Sequence, residues 1–108
     1  MITREEYLDI YDIVGVAMEV YNTLGYGMVE PIYQEAFAME MKAVDKILSE
    51  HRAQLFNYMR IAQQKKGVLL NFGEKSLRAE RYIFEKSEER FILLTQNNYK
   101  RYILPDGK

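Results

Sequence analysis

Between Pro31 and Gly67 the chain contains neither proline nor glycine, and it carries one unbroken hydrophobic repeat. Phe37, Met41, Val44, Leu48, His51, Leu55, Tyr58 and Ala62 follow one another at steps of 4, 3, 4, 3, 4, 3 and 4 residues. That is the a/d spacing of a helix that buries a seam. It predicts one continuous helix over about residues 31–64. At about 1.5 Å per residue such a helix is roughly 50 Å long. A compact domain of 108 residues has a radius of gyration of about 13 Å, so the helix would project and its seam would need a partner. A second copy of the chain is the simplest one, which makes a homodimer the expected assembly. The rival is a break near Met39–Asp45 that folds two shorter helices into a hairpin.

The flanking segments are shorter and easier to place. Thr3 followed by Glu6 is a capping box, and it opens a helix over residues 3–24. Tyr7, Ile10, Tyr11, Val14, Met18, Tyr21 and Leu24 recur at three- and four-residue steps. Ile13, Val16, Ala17 and Val20 widen that face, so the helix needs cover on more than one side. Gly25-Tyr26-Gly27 suits a turn, and Pro31 suits the first turn of the next helix. After Gly67 the period changes. Val68 to Phe72 is a short apolar run between glycines, residues 79–85 place Tyr82 and Phe84 on one face, and residues 90–95 follow a polar link. These read as a buried strand and an antiparallel hairpin. Residues 97–104 fit either a last helical turn or an edge strand, and 105–108 form a tail. The fold class is therefore α+β: an N-terminal helix and one long helix packed with a small, three-stranded, mainly antiparallel sheet. One domain spans residues 1–108, helical to residue 64 and sheet-forming over 65–104.

Composition narrows the functions. The chain has no cysteine and one histidine, which excludes disulfides, thiol catalysis and thiolate metal sites. No apolar run reaches the ~20 residues that cross a bilayer, and residues 1–6 show no signal-peptide pattern. A cytoplasmic protein without a membrane role is the expectation. Residues 1–59 hold 4 basic and 10 acidic groups, while residues 60–108 hold 11 and 6. A net of −6 thus faces a net of +5. Either the two halves attract each other, or the basic half holds a nucleic acid or a protein. Interleaving of Arg78, Glu80, Arg81, Glu88, Glu89 and Arg90 argues against a phosphate-binding stripe.

His51 falls on the seam and reads as a packed residue. Carboxylates remain as the chemical groups, and Glu40-Met41-Lys42 is a Glu-x-Lys tripeptide. In a metal-dependent nuclease one carboxylate of such a pair holds a divalent ion, and the lysine steadies the attacking water or the phosphate. On a strand, residues i and i+2 share a face. On a helix they lie about 200° apart. The helical reading of this stretch therefore disables the pair.

Gly27-Met28-Val29-Glu30-Pro31-Ile32-Tyr33 resembles the signature of the GxxExxY protein family, and Ile13 to Gly25 is similar to that family's first helix. Those proteins resemble PD-(D/E)XK, or restriction-endonuclease-like, nucleases. Lys42-Ala43-Val44 and His51 to Tyr58 look like the stretch after the family's Glu-x-Lys strand. That stretch includes a Gln-x-x-x-Tyr pattern at Gln54 and Tyr58. The resemblance covers about residues 5–85 and implies a reduced restriction-endonuclease-like fold. It implies Glu30, Glu40, Lys42, Gln54 and Tyr58 as vestigial catalytic residues, with Glu30 and Glu40 as ligands for Mg²⁺ or Mn²⁺ if the chain is a nuclease. The family's block of strands between the two motifs, which carries a metal-binding Asp, has no counterpart here. The expectation is a degenerate, non-catalytic nuclease-like protein without a cofactor, self-associating through its long helix. A nucleic-acid- or protein-binding module is the alternative, and a nuclease whose site is completed by a dimer is the second alternative.

Overall fold

The computed structural model describes residues 1–24 and 38–105. The Gly25-Tyr26-Gly27 turn, the GxxExxY-like segment with Glu30 and Pro31, Phe37, and the end of the tail lie outside the described residues. Helix α1 spans Arg4–Leu24. Strand β1 spans Ala38–Lys42, helix α2 Ser49–Ile61, and strands β2, β3 and β4 span Lys66–Asn71, Arg78–Glu85 and Arg90–Leu94. A 3-10 turn at Tyr99–Tyr102 follows.

The capping box forms as the sequence expects. Glu6 N–H donates to Thr3 Oγ1 at 3.1 Å, and Thr3 N–H donates to Glu6 Oε1 at 3.0 Å. Two of the otherwise orphaned N–H groups at the helix start are thereby satisfied. The α+β class holds, and so do the three antiparallel strands. β2 pairs with β3, and β3 with β4, both antiparallel. Residues 97–104 take the helical-turn option, with Asn98 Oδ1 accepting from Thr95 N–H at 2.7 Å. Ile103 then bridges Ile2 in a parallel pair.

The continuous helix over 31–64 does not form. Residues 38–42 are a strand paired in parallel with β2, from Ala38 opposite Gly67 to Lys42 opposite Asn71. The sheet therefore has four strands in the order β1-β2-β3-β4, and β1 falls inside the part expected to be helical. Ala, Met, Glu and Lys all favour helices in isolation, but pairing along a neighbouring strand overrides a preference of a few tenths of a kcal/mol per residue. The seam disperses as a result. Leu55 is buried in the core, Leu48 is exposed at the start of α2, and Ala62 is exposed beyond its end. No rod remains to carry the self-association expected of it.

A sheet flanked by one helix on each face is the resulting architecture. Ile10 and Val14 of α1 pack with Val68, Leu70, Phe72, Ile83, Ile92 and Leu94. On the other face Leu55 and Met59 of α2 pack with Ala38, Leu69 and Tyr82. Helix α2 comes close to β2 at Gly67, where an added Cβ would meet Met59 Sδ at 2.6 Å. The two charge-imbalanced halves do attract each other: Lys65 and Lys66 lie 3.3 and 3.2 Å from Glu6. No helix among the described residues is long and apolar enough to cross a membrane.

Candidate functional site

Strand geometry reverses the reading of Glu40-Met41-Lys42. In β1, positions 40 and 42 fall on one face, the face that α2 covers. Lys42 Nζ donates to Gln54 Oε1 at 2.6 Å. Gln54 and Tyr58 are one turn apart on α2 and so share a helix side. Tyr58 is half-buried against the cluster that contains Ala38, at the other end of β1. Gln54 of α2 thus meets the C-terminal end of β1, and Tyr58, one turn further along the helix, packs on the core between α2 and the sheet. This brings together two of the five candidate residues, Lys42 and Gln54, with Tyr58 one turn further along α2 and Glu40 on the same strand as Lys42. Glu30 lies outside the described residues.

Two polar arrangements hold that geometry. The first is at the end of β2. Asn71, fully buried, accepts from Val44 N–H at 3.0 Å and from Gly73 N–H at 3.1 Å. Its amide donates to Val44 C=O at 2.8 Å and to Glu74 Oε2 at 2.7 Å. Phe72 N–H also donates to Lys42 C=O at 2.8 Å. The backbone on either side of Lys42 and Val44 is therefore clamped to β2. Gly73 completes the clamp, because a Cβ there would lie 2.4–2.7 Å from the Val44 backbone.

The second arrangement ties α2 to β3. Glu80 is 5% exposed, and four bonds meet its carboxylate. Arg52 contributes a bidentate pair, Nε to Oε1 and Nη2 to Oε2, both at 2.8 Å. Tyr82 O–H donates to Oε1 at 2.6 Å, and Arg78 Nε to Oε2 at 3.2 Å. The bond from Arg52 is the main reason that the Glu80 carboxyl is held at about 2, against the opposing effect of burial. Burial, and then the Glu80 charge, push the Tyr82 hydroxyl upward. Arg52 sits two residues before Gln54, so this pair fixes the helix segment that meets Lys42. His51 serves the same helix differently: its Nδ1 accepts from Leu48 N–H at 2.8 Å, an end-capping role rather than a seam position.

Among the described residues, no group of three or more histidine, aspartate or glutamate residues could hold a metal ion. Glu19 of α1 is exposed. Divalent ions of this class need several oxygen ligands converging at about 2.0–2.6 Å. The described donors do not fit Mg²⁺ or Mn²⁺, and no catalytic step through such an ion follows from them. The described residues offer a positioned ammonium and amide without a set of acids.

Sequence comparison identifies the arrangement. The family model described as PD-(D/E)XK nuclease superfamily matches residues 8–43 and 38–83. The chain belongs to the PD-(D/E)XK nuclease superfamily. The match comes as two segments that overlap at 38–43, directly over β1. No curated protein and no solved structure matches the chain.

Arg52, Glu80 and Asn71 were not singled out from the sequence. Asn71 had one signal, an Asn-x-Gly end to an apolar run. The pairing of Arg52 with Glu80, across 28 residues, had none.

Proposed function

We propose that this superfamily member is a non-catalytic nuclease-like domain. It keeps the lysine and glutamine half of a phosphodiesterase site, and the described residues supply no acidic set beside it. One observation carries the reading: no aspartate occurs between Asp12 of α1 and Asp45, so the stretch that leads from α1 into the Glu40-x-Lys42 strand holds no counterpart of the Asp implied by the family resemblance. The two-segment match supports the same reading, because its overlap at β1 fits a chain shortened between its two motifs.

The test is direct. The purified chain is incubated with single- and double-stranded DNA and RNA in Mg²⁺ or Mn²⁺, beside Lys42→Ala. The expected result is no cleavage above the Lys42→Ala background for any substrate.

A second reading is favoured by one specific contact, the Lys42–Gln54 bond of 2.6 Å on the face that also holds position 40. Under that reading the chain is a metal-dependent phosphodiesterase whose missing acids come from a second copy. Metal-dependent cleavage that disappears in Lys42→Ala and in Glu40→Ala would establish it and overturn the first.

A further inference from the structure

The α1 side of the molecule carries a surface feature remote from Lys42 and Gln54. Tyr7, Tyr11 and Tyr99 form a row of rings between α1 and the 3-10 turn. Tyr7 stacks on Tyr99 with centroids 5.0 Å apart, and Tyr11 lies 6.0 Å from Tyr7. Cations close the row at both ends. The Arg81 guanidinium is 4.8 Å from the centroid of Tyr11, and the Lys100 ammonium is 6.0 Å from that of Tyr99. Two adjoining grooves of about 470 and 490 Å³ follow the row, and no carboxylate lines either one.

Three details say what such a surface fits. Tyr11 is 49% exposed, so one ring of the row is available to a ligand. Neither Arg81 nor Lys100 has a carboxylate partner among the described residues. Arg81 Nε is buried without an acceptor. Helix α1 also sorts its surface. At about 100° per residue, Arg4, Tyr7, Leu8 and Tyr11 form one stripe, while Glu5, Asp9 and Asp12 form the next. The cations of the row are not cancelled from within it.

We propose that the tyrosine row is a binding surface for single-stranded nucleic acid, separate from the Lys42 site. Unpaired bases present flat faces that a tyrosine ring accepts whatever the sequence, and unneutralised cations beside the rings attract the backbone phosphates. A duplex keeps its base faces stacked inside and cannot use Tyr11 in this way. An acidic peptide would satisfy the cations and leave the rings unused.

The experiment is fluorescence anisotropy with the full chain at low salt. The probes are a labelled oligothymidylate of about a dozen nucleotides, a duplex of equal length, and polyglutamate. Saturable binding is expected, tightest for the single strand. Tyr11→Ala weakens it roughly tenfold, while Tyr11→Phe, which keeps the ring, retains it. Lys100→Ala weakens it and lowers the salt dependence by about one released counterion. Both side chains are exposed, and thermal unfolding verifies that the variants fold. Absence of saturable binding, indifference to Tyr11→Ala, or equal affinity for duplex or polyglutamate would each overturn the proposal. None of these outcomes depends on whether the chain cleaves its ligand.

Discussion

The two faces of the sheet are built from alternate residues of the same strands, yet they hold their helices by different means. Toward α1 the strands present Val68, Leu70, Phe72, Ile83, Ile92 and Leu94, and the helix answers with Ile10 and Val14. Toward α2 they present Leu69 and Tyr82 together with Lys42, Asn71 and Glu80. An apolar face is indifferent to small displacements of what covers it, since burial is roughly proportional to area and has no direction. A bidentate Arg52–Glu80 pair and an Asn71 side chain held by four hydrogen bonds admit one position only. The chain thus concentrates non-directional stability on one face and directional constraint on the other, where Lys42 must meet Gln54. Burying a carboxylate is costly unless every lone pair finds a donor, and Glu80 finds four.

Ile83→Ala tests the apolar face and has the largest expected effect. Ile83 is fully buried among residues of both strands and helix. Truncation should cost about 3–4 kcal/mol of unfolding free energy in a urea titration. A loss below about 1 kcal/mol would mean that this face is not the main core. Arg52→Ala tests the directional face. Glu80 would stay buried with only Tyr82 and Arg78 as partners, and stability should fall by about 2 kcal/mol at neutral pH, part of the pair being solvent-screened. The pH dependence separates the two variants. Glu80 titrates at about 2 in the fold against an ordinary 4.5, so its contribution is fully present above about 4.5 and is lost as pH falls toward 2. The gap between parent and Arg52→Ala should therefore narrow between pH 5 and pH 2. The Ile83→Ala gap should stay constant over that range.

The same contrast explains what the sequence reveals. The three antiparallel strands are legible because Val68-Leu69-Leu70, Tyr82-Ile83-Phe84 and Phe91-Ile92-Leu93 are β-favouring runs set between glycines or polar links. The capping box is legible because its two members are three residues apart. Strand β1 is not legible. Its residues favour helix, its spacing continues a heptad, and its strand partner Gly67-Val68-Leu69-Leu70-Asn71 lies 29 residues further on. The bend at Asp45 and Lys46 before α2 contains neither proline nor glycine, and the apolar spacing continues through it. Lys42, Gln54 and Tyr58 came from resemblance to a family motif. The meeting of Lys42 with Gln54 required the strand that local propensity denied. Glu80 was hidden for a related reason: a charged residue in an interleaved run looks solvated until a partner 28 residues away is known to cover it.

The smallest expected effect concerns how α1 is fixed at its start, on a face with few directional contacts. Thr3→Ala removes the hydroxyl that accepts from Glu6 N–H and leaves the return bond from Thr3 N–H to Glu6 Oε1 in place. Losing a Thr cap of this kind costs about 1 kcal/mol, which for a domain of this size is about 4–8 °C in the thermal midpoint. The Glu6 carboxyl opposes its own burial through that return bond and then through Lys66 and Lys65, and it is held at about 2. Because these contacts survive in Thr3→Ala, the variant should lose stability equally at pH 7 and pH 4. A loss that grows on acidification would show that the hydroxyl positions Glu6 for Lys65 and Lys66. The α1 face would then be anchored, like the α2 face, by a carboxylate whose bonds fix where its helix sits.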